Sequence, residues 1–309
     1  MSRSTISTFR VFELFPDQEA ARLYLESRLW PNGPVCPVCN SSQRLTTRRA
    51  VGFHRCNACN EDFTICTGTI FERSKIPLHK WLYAMYLMLT ARKSVSSLQI
   101  AKELGITQKS AWFMMHRIRE ACGDGLPNPP LSGTIEIDEC YIGGKEGNKH
   151  EHKKLKLGRG AVGKTPVFGL RERGGRTVAM PVPDTEQGTL QSAIYAIVAP
   201  GSTLNTDESA SYGDMDGLFF RHKKVNHSAG EYVRGDVSIN GMESVWAVLK
   251  RGIHGTFHHI SARHTGRYVN EFTFRLNDGN VRRHTTDRLN SLVDGVSKKR
   301  LTYKRLVAR

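Results

Sequence analysis

The fold near the N-terminus depends on a pair of cysteine knuckles, Cys36-Pro37-Val38-Cys39 and Cys56-Asn57-Ala58-Cys59. Two CxxC pairs with a spacer of this length let four thiolates close a tetrahedron around one zinc ion, each pair forming one tight turn. The alternatives are redox-active CxxC sites or two disulfides, and the absence of a recognisable secretory signal disfavours both. The sequence therefore predicts a zinc ribbon over residues 35–72.

Two residues close to the knuckles are not expected to be zinc ligands. His54 precedes Cys56 by two positions, but four cysteines already complete a zinc shell, so we expect it to be exposed or to touch a phosphate. Cys66 is expected to be a small packed residue rather than a spare ligand. Cys122 and Cys140 are scattered, which favours reduced thiols and a cytoplasmic setting.

The charge of the chain points to a polyanionic partner. Among 309 residues, 45 are Lys or Arg and 29 are Asp or Glu, which gives a formal net charge of +16. Such an excess favours nucleic acid, because phosphate neutralisation releases counterions. No apolar run approaches the roughly 20 residues needed to cross a bilayer, so we expect no membrane association.

A helical hairpin follows the ribbon. Residues 75–122 contain an apolar helix and then two shorter helices, with a turn at Gly105 and a potential N-cap at Thr107. The pattern favours a DNA-binding helix-turn-helix over a generic helical hairpin. In that reading the start of the last helix enters the major groove, and its candidate DNA contacts are Gln108, Lys109 and Ser110.

The rest of the chain suggests a separate domain. An N-terminal helical segment over 1–34 precedes the ribbon, a Gly- and Pro-rich linker spans 123–133, and strands then alternate with helices over 134–285. Residues 286–309 read as a basic C-terminal tail. Between the first two strands, loop 143–164 either holds DNA through Lys149 and Lys153 or is a solvated insertion.

Carboxylates stand at the ends of two predicted strands. Asp138 lies on strand 134–142 and Asp207 just after strand 202–205, where a sheet edge opens to solvent. A helix over 240–252 supplies Asn240 or Glu243, with Lys250 two turns beyond Glu243. Oxygen ligands without Cys or His suit Mg²⁺ or Mn²⁺, and two such ions can activate and stabilise the oxygens of a displacement at phosphorus.

Three segments carry a resemblance to a known family. They are Glu136–Glu146 (EIDECYIGGKE), Asn240–Trp246 (NGMESVW) with 249–252 (LKRG), and Arg267–Asn277 (RYVNEFTFRLN). The first resembles the first catalytic strand of bacterial insertion-sequence transposases with an N-terminal zinc ribbon. The second and third resemble their last catalytic segment and closing helix. The similarity runs from the ribbon to about residue 285.

The resemblance implies a multidomain α/β protein: a zinc ribbon, a helix-turn-helix and a ribonuclease-H-like mixed sheet flanked by helices. It implies a DDE-type transposase that binds the terminal inverted repeats and target DNA, as a homo-oligomer in the active complex, in the cytoplasm at the bacterial nucleoid. Structural Zn²⁺ and catalytic Mg²⁺ or Mn²⁺ are the expected cofactors, and Arg251 is a further candidate DNA contact.

Two points stay open at this stage. The family writes its third metal ligand as Asn or Glu, and this chain offers both. An anion neutralises a divalent metal better than an amide, which favours Glu243, while Asn240 remains a candidate. The rival functions are a non-catalytic DNA-binding regulator and a nuclease on the same core.

Overall fold

The computed structural model describes residues 5–123, 125–127, 129–144, 146–155, 161–213, 215–217 and 219–308. Its α-helices are α1 (Thr8–Leu14), α2 (Gln18–Leu29), α3 (Leu78–Thr90), α4 (Ser97–Leu104), α5 (Gln108–Ala121), α6 (Gln187–Ile197), α7 (Asn240–Gly252), α8 (Thr265–Leu276), α9 (Thr285–Asp294) and α10 (Tyr303–Val307). Its strands are β1 (Leu45–Thr47), β2 (His54–Cys56), β3 (Glu61–Phe63), β4 (Thr134–Ile142), β5 (Thr165–Glu172), β6 (Thr177–Pro181), β7 (Thr203–Thr206), β8 (Arg221–Lys224), β9 (Val233–Arg234) and β10 (Val237–Ser238).

The chain divides into two compact units. The first unit combines Met1–Gly123 with Asp278–Arg309, and the second unit is Asp124–Asn277. The second unit corresponds to the predicted linker and most of the domain predicted over 134–285. No helix in the described part of the chain is both long and apolar enough to cross a membrane.

The first unit begins with two capped helices and the predicted ribbon. Strands β1, β2 and β3 form an antiparallel sheet, and Cys56 ends β2 where the second knuckle turns the chain. Phe63 is buried beside Trp30 and Leu45 and forms the ribbon's small apolar core. A core of this size stabilises little by itself, which is why such folds depend on their metal.

Helices α3, α4 and α5 form the helical part of the first unit. Helix α3 is apolar on nearly every side, and most of its side chains are buried. Ser96 caps α4 and Thr107 caps α5, each hydroxyl accepting a backbone N–H three residues ahead. Between them Gly105 has a φ of 62°, the left-handed conformation that ends α4 and turns the chain into α5.

The C-terminal residues differ from the predicted basic tail over 286–309. The structure instead has helices α9 and α10 there, and both belong to the first unit. Leu289, Leu292 and Val293 on α9 are buried, and the Arg288 guanidinium donates a hydrogen bond of 3.1 Å to the Leu89 carbonyl at the end of α3. The basic composition suggested a tail, but α9 carries an apolar stripe at helical spacing, and burial of this stripe determines the structure.

The second unit is a mixed five-stranded sheet flanked by helices, as predicted. The strand order is β6-β5-β4-β7-β8, with β4, β5 and β6 antiparallel and β7 and β8 parallel to β4. Ile135 and Ile137 on β4 face one buried cluster with α6, while Cys140 and Ile142 face another with α7 and α8. The alternation of β4 therefore reflects burial on both faces of the sheet.

Candidate active site

Asp138 and Asp207 lie on neighbouring parallel strands at matching positions. Strand β4 pairs with β7 up to Glu136 and Asn205, and Asp138 and Asp207 each follow two residues later on their strands. Parallel neighbours end at the same edge of a sheet, so the two carboxylates come side by side where the ladder stops. The Asp207 Oδ1 atom accepts the Ser209 N–H at 3.0 Å, which holds this carboxylate at the start of its loop.

A third acid, Glu243, acts electrostatically on Asp138 at this edge of the sheet. Burial, followed by the negative charges of Asp207 and Glu243, raises the pKa of Asp138 to about 6, against partly compensating hydrogen bonds. Glu243 lies in the first turn of α7, the helix that covers this face of the sheet. Neither aspartate forms an ion pair with a cation within the described residues.

Trp246 packs against the same strand pair. Gly169 lies opposite Asp138 in the β4–β5 register, and a Cβ at this glycine would meet Trp246 Cζ2 at 2.5 Å and also the end of Met242. The buried indole Nε1 makes no hydrogen bond of standard geometry in the described structure, but its proximity to Asp138 lowers that residue's pKa. The indole therefore forms an apolar wall beside the carboxylate.

The other predicted residues of α7 take distinct positions. Asn240 is the first residue of the helix and is exposed. Lys250 is also exposed, and its charge acts on Cys140, two residues beyond Asp138 on β4. Burial raises the pKa of that thiol to about 12, and Lys250 opposes the rise. Glu243, Lys250 and Asp138 thus share one side of the sheet.

His227 also contacts this group and was not foreseen. Its Nδ1 atom lies 3.9 Å from Glu243 Oε1. Glu208, next to Asp207, accepts the backbone N–H groups of His227 and Ser228 at 2.8 and 2.9 Å. A contact that joins the loop after β8 to α7 has no signature in the local sequence.

A second unforeseen pair fixes the start of α7. Glu136 is buried, and its Oε2 atom accepts the Met242 N–H at 3.1 Å while Arg173 donates to Oε1 at 2.9 Å. A carboxylate at a helix N-terminus satisfies a free N–H and complements the helix dipole. Arg171 adds a 2.7 Å bond to the Gly241 carbonyl. The alternation that places Glu136 on the face of Asp138 was the available signal.

Glu139 occupies the opposite face of β4. Burial raises its pKa to about 7, the nearby Tyr212 hydroxyl opposes the rise, and Asp138 and Asp207 add to it. Glu139 Oε1 and the Tyr212 hydroxyl are buried without a hydrogen bond of standard geometry in the described structure. Glu139 therefore lies on the face of the sheet that packs against α6, opposite the face that carries Asp138.

The donor set at the sheet edge suits a hard divalent cation. Asp138, Asp207 and Glu243 offer only carboxylate oxygens, and the pKa of Asp138 is raised first by burial and then by the negative charges of Asp207 and Glu243, which a cation would neutralise. Within the described residues the four ribbon cysteines are the only group of three or more ligands whose atoms all lie within 4.8 Å of one another, so the three acids do not all lie within that distance.

The ribbon cysteines form the zinc site that the sequence predicts. The Sγ atoms of Cys36 and Cys59 are 3.6 Å apart, as are those of Cys39 and Cys56. Four thiolates at about 2.3 Å from a central zinc ion would be separated by about 3.8 Å at the corners of a tetrahedron, so the cluster fits this metal. Cys66 lies outside the cluster.

The expectation for His54 is wrong. This side chain is 9% exposed, and its ring packs 5.7 Å from Trp30 and 5.4 Å from Phe63. Burial lowers its pKa, so the neutral ring acts as part of the ribbon's core. The short ribbon has few apolar residues, and the imidazole fills the space they leave.

The predicted DNA contacts fall into two groups. At the start of α5, Gln108 and Lys109 are exposed; the Gln108 amide donates to Ser97 Oγ at 2.9 Å, and the Ser110 N–H is taken by the Thr107 cap. In the second unit, Lys149 pairs with Glu146 at 2.5 Å and Arg251 is exposed on α7. The side chain of Lys153 lies outside the described part of loop 143–164.

Comparisons with known proteins identify two regions of the chain. Residues 130–277 match the ISXO2-like transposase domain, and residues 16–62 match the transposase zinc-ribbon domain. The first match covers the strands and helices of the second unit, including Asp138, Asp207 and Glu243. The second contains all four zinc-binding cysteines.

Two relatives extend the comparison. An uncharacterised protein in the transposable element ISH50 of Halobacterium salinarum is 30% identical over 247 residues, which are 76% of this chain and 82% of the relative. An uncharacterised transposase-like protein of Haemophilus influenzae is 31% identical over 101 residues, 33% of this chain and 80% of that protein.

Proposed function

Because the chain belongs to the family of insertion-sequence transposases that carry a zinc ribbon and an ISXO2-like transposase domain, we propose that it binds the ends of an insertion sequence and catalyses metal-dependent DNA cleavage and strand transfer. The observation that carries the proposal is the matching position of Asp138 and Asp207 on β4 and β7, with Glu243 acting on the same edge. We further propose that the sheet of the second unit is a ribonuclease-H-like core.

The proposed roles of the side chains follow from their positions. Asp138 and Asp207 would hold Mg²⁺ or Mn²⁺ together, with Glu243 or Asn240 as the third ligand. The bound metal would supply activation of the attacking oxygen and stabilisation of the leaving oxygen at phosphorus. In this proposal Trp246 would keep water from one side of Asp138, and Lys250 would orient a phosphate by its charge.

The DNA-binding part of the proposal rests on the first unit. Its ribbon and the hairpin α4–α5, as a helix-turn-helix, would hold the terminal inverted repeats, with Gln108, Lys109 and Ser110 at the end that enters the major groove. Lys149, Lys153 and Arg251 would hold DNA near the acids. We assign residues 35–72 and 75–122 to recognition, 123–133 to a linker, and 134–277, the part of the predicted 134–285 domain that lies in the second unit, to catalysis. The chain would act as a homo-oligomer on double-stranded DNA, in the cytoplasm at the nucleoid.

A strand-transfer assay tests this function against its rivals. The purified protein is mixed with a duplex that ends in the pre-cleaved element terminus, a supercoiled plasmid and Mg²⁺. Joined products are expected of a transposase, whereas a nuclease nicks the plasmid without joining. A non-catalytic regulator binds the duplex and leaves both DNAs intact, which would refute the proposal.

Variants then test the acids. Asp138→Asn and Asp207→Asn keep the size of each side chain but remove its charge, so we expect joining to be lost while binding to the end duplex is preserved. Lys250→Ala should weaken joining without abolishing it, because it orients phosphate instead of holding metal. Parental joining by Asp138→Asn in Mg²⁺ would exclude the assignment.

A paired comparison decides the third ligand. Glu243→Gln and Asn240→Ala are assayed side by side for joining and for Mg²⁺-induced thermal stabilisation. The change at the true ligand should remove nearly all joining together with the stabilisation by metal, and the change at the other residue should leave both largely intact. Glu243 is the expected ligand because its charge already acts on Asp138.

A further inference from the structure

The C-terminal segment, residues 295–308, runs antiparallel along helix α5. Gly295 packs so closely on the last residue of α5 that a Cβ at this position would collide with the Ala121 carbonyl oxygen. The Lys299 ammonium donates to the same carbonyl at 3.5 Å and to Gly123. At the other end of the helix, the Tyr303 ring meets Phe113 edge-on at 5.5 Å. The segment thus follows α5 from its C-terminus back towards its first turn.

Buried side chains hold the segment in place. Val296, Leu301 and Leu306 are 0%, 3% and 2% exposed. Arg300 adds an ion pair of 3.0 Å with Glu72 in the first unit. Burial of these three aliphatic side chains contributes about 1.5–3 kcal/mol each, which offsets part of the entropy cost of ordering the segment. The segment is therefore a packed part of the first unit.

The C-terminal segment carries exposed cations next to Tyr303, whose ring contacts the first turn of α5. The Lys109 ammonium lies 4.8 Å from the centre of the Tyr303 ring, and Lys304 and Arg305 follow Tyr303 directly and are exposed. No acidic residue occurs between Gly295 and the C-terminus. Within the described residues, neither Lys304 nor Arg305 forms an ion pair. Lys109 at the start of α5 and the two cations that follow Tyr303 are exposed and have no ion-pair partner among the described residues, and unpaired surface cations of this kind can contact phosphates.

We infer that the C-terminal segment is part of the DNA-binding surface of the first unit: Lys304 and Arg305 contact the phosphate backbone of duplex DNA beside the groove that α5 enters, and Tyr303 positions Lys109. The inference rests on the proposed function, since it takes duplex DNA as the partner of α5. It adds a phosphate-contacting element that comes from the opposite end of the chain. A cation over an aromatic face is restricted in direction, so the ring aims Lys109 outward.

The salt dependence of DNA binding tests the two cations. The full-length protein and its Lys304→Ala/Arg305→Ala variant are titrated against a labelled duplex of mixed sequence at several salt concentrations. Loss of two phosphate contacts should reduce the slope of log K against log salt by about 1.8, at about 0.9 per contact. Both side chains are exposed, so the variant should fold as the parent does.

A matched variant controls for net charge. Arg92→Ala/Arg282→Ala removes the same two charges from exposed arginines elsewhere in the first unit. Its slope should stay at the parental value. If the two double variants reduce the slope equally, net charge alone explains the effect and the inference is overturned.

The role of Tyr303 is tested by keeping or deleting its ring. Tyr303→Phe preserves the face under Lys109 and the contact with Phe113, so its affinity for the duplex should match that of the parent. Tyr303→Ala should weaken binding by roughly three- to tenfold, the size of an exposed cation–π contact and the ordering it provides. Circular dichroism checks that both variants are folded, and equal affinities would contradict the positioning role.

Different results would contradict the proposed function and the inference about the C-terminal segment. If the parental protein joins pre-cleaved ends and binds the duplex, but the variants of the C-terminal segment bind with parental slope and affinity, only the inference about this segment is wrong. If the parental protein neither binds nor joins DNA, the proposed function fails and the inference fails with it.

Discussion

Gly169 stands directly opposite Asp138 across the antiparallel pair β4–β5, and the indole of Trp246 fills the space that a side chain at residue 169 would need. One missing methyl group thus allows α7 to approach the sheet at the position of the first candidate metal ligand. The same helix supplies Glu243, so the approach of α7 also sets where the third acid lies.

Gly169→Ala should displace α7 from the sheet. The added Cβ would overlap Trp246 and Met242, and such overpacking typically costs about 1–3 kcal/mol. We expect a lower unfolding midpoint in urea and at least a tenfold loss of strand transfer, because Asp138 and Glu243 no longer hold their spacing. Gly188→Ala is the control: it adds a methyl group to open space on α6 and should leave joining unchanged. Equal effects of the two changes would contradict the close packing at Gly169.

Asp138→Asn should stabilise the metal-free protein at neutral pH. The folded-state pKa of Asp138 is raised from 3.8 to about 6, so the folded chain holds this proton more tightly than the unfolded chain does. The parental protein therefore loses stability as pH rises between about 4 and 6, by roughly 3 kcal/mol, whereas the variant does not. Hydrogen exchange of β4 without added Mg²⁺ should show a gain for the variant near pH 7 that vanishes near pH 4. A gain of the same size at both pH values would argue against this titration.

Added Mg²⁺ should reverse that difference. A cation at the acids offsets their repulsion, so it should stabilise the parental protein near pH 7 and have little effect on Asp138→Asn. The stabilisation should fade below about pH 6, where a proton competes with the metal for Asp138. Thermal melts over a Mg²⁺ series measure both effects, and identical melting of the two proteins would exclude Asp138 as a ligand.

Glu136 and Arg173 should behave as a coupled pair. Glu136→Gln leaves Arg173 without its carboxylate and weakens the N-terminal contact of α7; we expect a loss of about 1–3 kcal/mol, discounted because Arg173 is 40% exposed. A double-mutant cycle with Arg173→Gln in urea unfolding should give a coupling energy above about 0.5 kcal/mol. Strand transfer should fall in both single variants, since α7 carries Glu243. Additive effects on stability would mean that the two side chains act independently.

Cys39→Ser should remove zinc and unfold the ribbon. The cluster needs all four thiolates, and structural zinc supplies much of the folding free energy of so small a fold. Elemental analysis should give one zinc ion per chain for the parental protein and none for the variant, while hydrogen exchange of β4 stays unchanged. Cys66→Ser is the matched control and should keep its zinc, because that thiol lies outside the cluster. Full zinc content in Cys39→Ser would contradict the four-cysteine site.

Local patterns predicted several elements well, whereas the roles of the acids stay a prediction. The structure has β4 over 134–142 and α7 over 240–252, the bounds expected from alternation and from helical spacing. The zinc knuckles were equally clear, because four ligands close together in sequence define their own geometry. In these segments the local pattern is enough to indicate the element: alternation for β4, helical spacing for α7 and ligand spacing for the ribbon.

Contacts between residues far apart in the sequence could not be predicted from local patterns. Glu136 meets Met242 across 106 positions, and the contact of His227 with Glu243 depends on how the loop after β8 folds back. The C-terminal segment was predicted to be a basic tail because its Lys and Arg residues outnumber its leucines. In the structure those leucines are buried. His54 shows the converse, a polar side chain that becomes part of a core.

The discontinuity of the first unit has a consequence for synthesis on the ribosome. Its two parts are separated by the entire second unit, and α9 is fastened to α2 by the Tyr24–Asn290 hydrogen bond of 2.6 Å and the Arg28–Asp294 pair of 2.5 Å. The N-terminal part therefore emerges first and stays without α9 until the whole second unit has been synthesised. A message cut short by a premature stop codon before α9 yields a chain that lacks these contacts and cannot complete the first unit.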